Sequence, residues 1–195
     1  MKLFSYVVDH DTGYAPNPAD GYCTLVQCKY RPKGAVKKNI VEMAEVGDWI
    51  LGTGGCGKKS AGHGTIIYLM RVDEKLSFDE YIRDGRFCKR SDVDNRDNEF
   101  ALVSVSYFYY GRNAVRICDL PKEIGDLVRN NLEKKGPGYR SDLPESTIEL
   151  LVDWFSRNYE YGGHGDPVAP GDRWKMITNT STEMGNADFI ARKRC

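Results

Sequence analysis

Three histidines stand in polar, loop-like stretches beside glycine or aspartate. His10 precedes Asp11, His63 sits inside Gly-His-Gly, and His164 sits inside a second Gly-His-Gly that continues to Asp166 and Pro167. An imidazole can take and give a proton near neutral pH. His63 and His164 are therefore candidates for general acid–base work or phosphate contact, and each is equally readable as a solvated loop side chain. No two of the histidines have the short spacing of metal motifs, so no metal site is expected. Cys23 and Cys28 flank Thr-Leu-Val-Gln, with no second cysteine pair at a finger or ribbon distance. Their odd offset puts them on opposite faces of a strand. Either thiol becomes a candidate nucleophile if Lys29 or Arg31 lowers its pKa, which makes Cys23 a catalytic candidate. The plainer reading is a small buried apolar side chain.

The stretch GTGGCGKKSAGHG, residues 52–64, opens like a phosphate-binding loop. Gly52 to Lys58 satisfies the glycine and lysine positions, but Lys59 stands where a magnesium-binding hydroxyl is required, and Ser60 comes one residue late. The following TIIYLMRV is β-branched and aromatic, so it reads as a strand. With no helix N-terminus facing a phosphate, the P-loop reading is rejected. What remains is a glycine-dense loop between two strands, carrying Lys58, Lys59, Ser60 and His63.

Two further stretches carry chemistry. KYRPKGAVKK holds Lys29, Arg31, Lys33, Lys37 and Lys38 without an acid. It is either a solvated face or the lining of a phosphate site. In SYFYYGRNAVR, alternation puts Phe108 and Tyr110 on one face and Tyr107 and Tyr109 on the other. One face should join the core. The other would present rings beside Arg112 and Asn113, a set able to stack on a base, hold phosphate and read a base edge. Tyrosines in a strand before a Gly-Arg-Asn turn would show the same pattern. The loop RSDVDNRDNEF lacks the glycine and glutamate of an EF-hand and reads as solvated and acidic.

The elements that must position these groups form an α+β pattern. LFSYVV, YCTLVQC, DWILGT, TIIYLMRV and FALVSVSYFYY read as strands. SFDEYIRD is a short helix with Ser77 as N-cap and Glu80 completing a capping box. LPESTIELLVDWFSRNY is the best helix, with Ile148, Leu151, Val152 and Phe155 at helical spacing and Pro144 in the first turn. A chain of 195 residues without a linker or repeat is expected to be one domain, residues 1–195, with a mobile basic tail, ARKRC. With 28 basic and 28 acidic residues, a long duplex footprint is not expected, because that binding rests on phosphate neutralisation. No apolar run approaches a membrane span, the opening MKLFSYVVDH lacks the pattern of a signal peptide, and with scattered cysteines a reducing cytosol is expected.

The blocks SYVVDHDTGYAPNPADGYCTLVQCKYRPK, VGDWILGTGG, AGHGTIIYLMRVDEKLSFDEYI, YFYYGRNAV and GHGDP together resemble the bacterial and phage family called nucleotide-modification-associated domain, second type. The likeness runs from residue 1 to about residue 167. It would carry over Asn17, Cys23, Thr24, Cys28, Lys29 and Arg31, then Gly54, Ser60 and His63, then Tyr110, Gly111, Arg112, Asn113 and His164. It implies work on nucleotides or DNA bases beside other components of a modification system. A weaker similarity, over VGDWILGTGG and HGTIIYLMRV, is to the EVE, ASCH and PUA superfamily. That likeness implies a curved, partly open β-barrel-like sheet with flanking helices. There the glycine loop would let the backbone approach a base or sugar.

Two function classes follow: an enzyme acting on a nucleotide or base, and a non-catalytic reader of modified bases. A scaffold subunit is a blander third. His63, His164 and Cys23 are the catalytic candidates. Asn17, Lys29, Arg31, Gly54, Lys58, Ser60, Tyr110, Arg112 and Asn113 are the ligand-binding candidates. The expected ligand is a nucleotide or short nucleic acid segment, its base on Tyr110 or a neighbouring ring and its phosphate near Lys29 or Arg112. The residues 52–64, Lys29, Arg31 and Arg112 are expected around one concave site. The sequence names no cofactor.

Overall fold

The computed structural model describes residues 1–26, 39–87, 90, 92, 99–132, 138–172 and 174. Lys29, Arg31, Cys28 and the C-terminal tail lie outside them. The large sheet contains β1 (Leu3–His10), β3 (Trp49–Lys59), β4 (Thr65–Arg71), β7 (Tyr107–Tyr109), β8 (Val115–Arg116), β9 (Tyr139–Arg140) and β10 (Gly162–Gly163). Its strand order is β10-β7-β4-β3-β1-β9, with β8 also paired to β4. The small antiparallel sheet has the order β2-β6-β5, from β2 (Cys23–Leu25), β5 (Glu74–Ser77) and β6 (Phe100–Ser104). The mixed α+β class is as expected. Among the described residues the strands form two sheets and no closed barrel.

Alternation along the strands builds two cores on the two faces of the large sheet. Phe4, Tyr6, Val8, Ile50, Tyr68, Met70, Tyr107 and Tyr109 pack with Cys23, Leu25 and Leu102 of the small sheet. On the other face, Leu3, Trp49, Leu51, Leu69, Phe108 and Tyr110 pack on Ile124 of α3 (Lys122–Leu127) and on Ile148, Leu151 and Phe155 of α4 (Glu145–Asn158). Those three α4 residues are fully buried and recur at helical spacing. Each contributes about 1.5–3 kcal/mol of burial. The far face of the small sheet is covered by α2 (Phe78–Arg83) through Phe78 and Tyr81, and α2 begins with the expected Ser77–Glu80 capping box. A further short helix, α1 (Ile40–Met43), has its own capping box from Asn39 and Glu42.

The stretch FALVSVSYFYY is not one strand. It divides into β6 in the small sheet and β7 in the large one. At the break, Asp73 Oδ2 accepts from the backbone N–H groups of Val105 at 2.8 Å and Ser106 at 2.9 Å. The aspartate takes the place of a strand partner where the chain crosses between layers.

Candidate functional site

The register fixes which loops share an end. β1 and β3 are parallel, β4 runs against β3, β7 runs against β4, and β10 is parallel to β7. The C-terminal ends of β1, β3, β7 and β10 therefore meet the start of β4 along one edge. His10, Lys58, Lys59, His63, Arg112, Asn113 and His164 all belong to segments at that edge. The turn at residues 60–64 and Arg112 accordingly lie at the same end of the sheet; Lys29 and Arg31, expected with them around one concave site, fall outside the described residues.

The glycine stretch is mostly strand. β3 runs through Lys59, and only residues 60–64 turn. Gly52, Gly54, Gly55 and Gly57 in the strand are pressed by neighbouring atoms, whereas Gly62 and Gly64 in the turn have open space around them. A Cβ on Gly54 would stand 1.9 Å from the Gly62 carbonyl oxygen and 2.3 Å from Thr65 Oγ1, and one on Gly52 would meet the Tyr68 ring at 2.2 Å. Ser60 is likewise turned inward, donating to the Val8 carbonyl and accepting from the Gly55 N–H at 2.8 Å. Lys58, Lys59 and His63 are exposed.

Both faces of the tyrosine strand are covered, so no open aromatic platform remains there. Tyr110 is 2% exposed, with Phe155, Tyr159 and His164 around its ring. The His164 ring stacks on it at 5.1 Å and 19°. His164 is also fixed through Nε2 to the Glu160 carbonyl at 2.9 Å, through its N–H to the Tyr109 carbonyl, and through its carbonyl to Asn113 Nδ2. It holds the loop after β10 onto the turn after β7. Arg112 is exposed; its N–H donates to the Asp166 carbonyl at 2.8 Å, and its guanidinium lies 4.0 Å from the Asp166 carboxylate. That same loop reaches β1, where Asp11 Oδ2 accepts from the Val168 N–H at 3.1 Å.

Cys23 is fully buried in the core between the sheets, and burial pushes its thiol pKa up, so it is held as the neutral, unreactive form. The nucleophile role is thereby lost and the small buried side chain is what the fold uses. Asn17 is also buried: its Oδ1 accepts from Arg90 at 2.9 Å, and its backbone pairs with Thr24. Arg90 and Asp92 come from the stretch expected to be solvated, yet both are buried. Asp92 accepts from Thr24 Oγ1 at 2.8 Å and from the Tyr81 hydroxyl at 2.9 Å, and burial raises its carboxyl pKa.

A cleft of about 250 Å³ opens at the same edge, lined by His63, Gly64, Thr65, Arg116, Ile117, Cys118 and Arg129. β8 builds one wall by pairing Arg116 with Thr65, and the Ile117 N–H donates to the Gly64 carbonyl at 2.8 Å. Among the described residues the His63 ring has no hydrogen-bond partner. Cys118 is exposed, and its thiol donates to Asp119 Oδ1 at 3.7 Å. Arg116, Cys118 and Arg129 were not named from sequence. Arg116 stood in a stretch already singled out, but only a two-residue pairing with β4 brings it to His63. No group of three His, Cys, Asp or Glu side chains among the described residues could hold a metal ion.

The profile of the family nucleotide modification associated domain 2 matches residues 1–100, just over half of the chain. This chain belongs to that family. The matched half supplies β1, β3, β4 and the His63 turn. Arg112, Arg116, Arg129 and His164 come from beyond it. No curated protein and no solved structure matches the chain. No helix among the described residues is long and apolar enough to cross a membrane.

Proposed function

We propose that this chain binds a nucleotide, or one nucleotide of a short single strand, at the loop-bearing edge of the large sheet, as part of a nucleotide-modification system. The observation that carries the proposal is the convergence of His63 with Arg116 and Arg129 in one cleft at that edge. Family membership supplies the nucleotide context. His63 is the proton-transfer candidate, because it is exposed and its ring is not committed to a structural bond among the described residues. His164 and Cys23 are engaged in holding the fold and are not assigned chemistry.

The test is incubation of the purified chain with mononucleotides and short single strands, with affinity read by calorimetry and products by mass spectrometry. Binding with turnover that His63→Ala abolishes supports an enzyme. Binding without turnover, under conditions that include other components of such a system, supports a reader. Absence of binding to every nucleotide and strand overturns the proposal.

A further inference from the structure

We propose that the cleft beside His63 is the seat of a terminal phosphate, so that the ligand is a phosphomonoester nucleotide rather than a free base or nucleoside. This rests on the nucleotide-binding proposal and assigns one end of the ligand to one set of side chains.

The donor set suits a tetrahedral oxyanion. Asp119 takes Nε and Nη2 of Arg116, at 2.6 and 2.8 Å, which fixes the guanidinium plane and leaves Nη1 for a ligand. Asp126 takes Nη1 of Arg129 at 2.9 Å, leaving Nε and Nη2. The His63 ring supplies a third group. Thr65 Oγ1 already donates to the Gly62 carbonyl at 2.7 Å, so it offers lone pairs and not a proton. Three nitrogen-bearing groups therefore line one cleft. Arginine's planar fork binds phosphate oxygens through paired hydrogen bonds. The two aspartates offset much of the charge, but both arginine pairs are solvent-exposed, and exposed pairs are weak enough to yield to a doubly charged phosphate.

Size agrees with phosphate rather than with a whole nucleotide. Pockets that enclose drug-sized ligands run to about 300–1,000 Å³. At about 250 Å³ this cleft takes a phosphate and part of a sugar. The base then lies outside it, toward the exposed edge. Arg129 sits in the π-helical turn Val128–Leu132 that follows α3, a rare wide turn that recurs at functional sites.

The experiment compares, on the intact chain, the deoxynucleoside 5′-monophosphates, the matching nucleosides, inorganic phosphate, and a dinucleotide with and without a 5′-phosphate. Monophosphates should bind roughly tenfold or more tighter than nucleosides, inorganic phosphate should compete, and Arg116→Gln and Arg129→Gln should each remove most of the difference. Equal binding of the phosphorylated dinucleotide assigns the site to a strand end; weaker binding assigns it to a free nucleotide. Both agree with the proposal. If nucleosides bind as tightly as monophosphates, or both arginine variants keep full affinity, the phosphate seat is wrong while nucleotide binding stands. If inorganic phosphate alone binds and Arg116→Gln removes it, the cleft is an anion site and the nucleotide reading falls. If nothing binds, both fall.

Discussion

The hydroxyl of Tyr109 donates a 2.6 Å hydrogen bond to Oδ1 of Asp11, and both residues are fully buried. The other oxygen of Asp11 receives the Val168 N–H, so one carboxyl joins the ends of β1 and β7 to the loop after β10. Burial raises its pKa above the ordinary value of 3.8. A raised folded-state pKa contributes stability that is full below the unfolded value and is lost as pH rises through the folded one.

Stability should therefore fall as pH rises above 3.8, and Asp11→Asn should flatten part of that slope. Asp92 is raised for the same reason, so a residual slope of the same sign should remain. Asp11→Ala, which leaves a buried hydroxyl and an N–H unpaired, should cost about 1–3 kcal/mol for each. Denaturant midpoints across the acidic range check both. A wild-type slope that Asp11→Asn leaves unchanged would remove Asp11 as its source.

Tyr110 is buried, and among the described residues its hydroxyl has no hydrogen-bond partner. Tyr110→Phe should be neutral or stabilising by up to about 1 kcal/mol, because no hydrogen bond is lost. Tyr110→Ala should cost about 3–5 kcal/mol of stability, as for other buried aromatics. Thermal unfolding is the measurement, and a destabilised phenylalanine variant would reveal a partner for that hydroxyl.

At Gly54 the nearest obstacle to a side chain is backbone, the Gly62 carbonyl, which cannot swing aside. Gly54→Ala should destabilise by at least about 1–3 kcal/mol. Gly163→Ala, where nothing lies within 4 Å, should stay within about 0.5 kcal/mol of wild type. Similar midpoints for the two variants would show that the hairpin opens without cost.

Asp73 holds two backbone N–H groups at the crossing between sheets. Asp73→Ala should cost about 1.5–3 kcal/mol, the range for hydrogen bonds to a charged group. Amide exchange of Val105 and Ser106 should rise with it. Unchanged protection there would mean that the chain crosses without the aspartate.

Much of this fold was legible in local pattern. Ser77 with Glu80, and Ile148 with Leu151 and Phe155, announce their helices because both signals act within a few residues. The alternation of Tyr107 to Tyr110 was legible too, but the second covering layer was not, because α4 and the small sheet arrive from elsewhere in the chain. Glycine density at residues 52–64 resembled a ligand loop. The same density serves a strand whose neighbours press against its backbone, and only the contacts tell these apart. Of the candidate site, exposed His63 was legible from its Gly-His-Gly turn. Arg116 and Arg129 were not, since their approach depends on strand pairing and on a helix turn distant in sequence.

The large sheet ends on both sides in strands of two residues, Gly162–Gly163 and Tyr139–Arg140. Beside the latter, β1 is buried from Leu3 to Val8. Among the described residues, a neighbouring copy pairing with either of these strands would find two residues of template, and one of the two strands is glycine. Long unpaired margins invite strand-to-strand aggregation, and short ones deny it a foothold. Along those two margins, concentrated solutions should therefore resist growth by added strands, and contacts made there must come through side chains or loops.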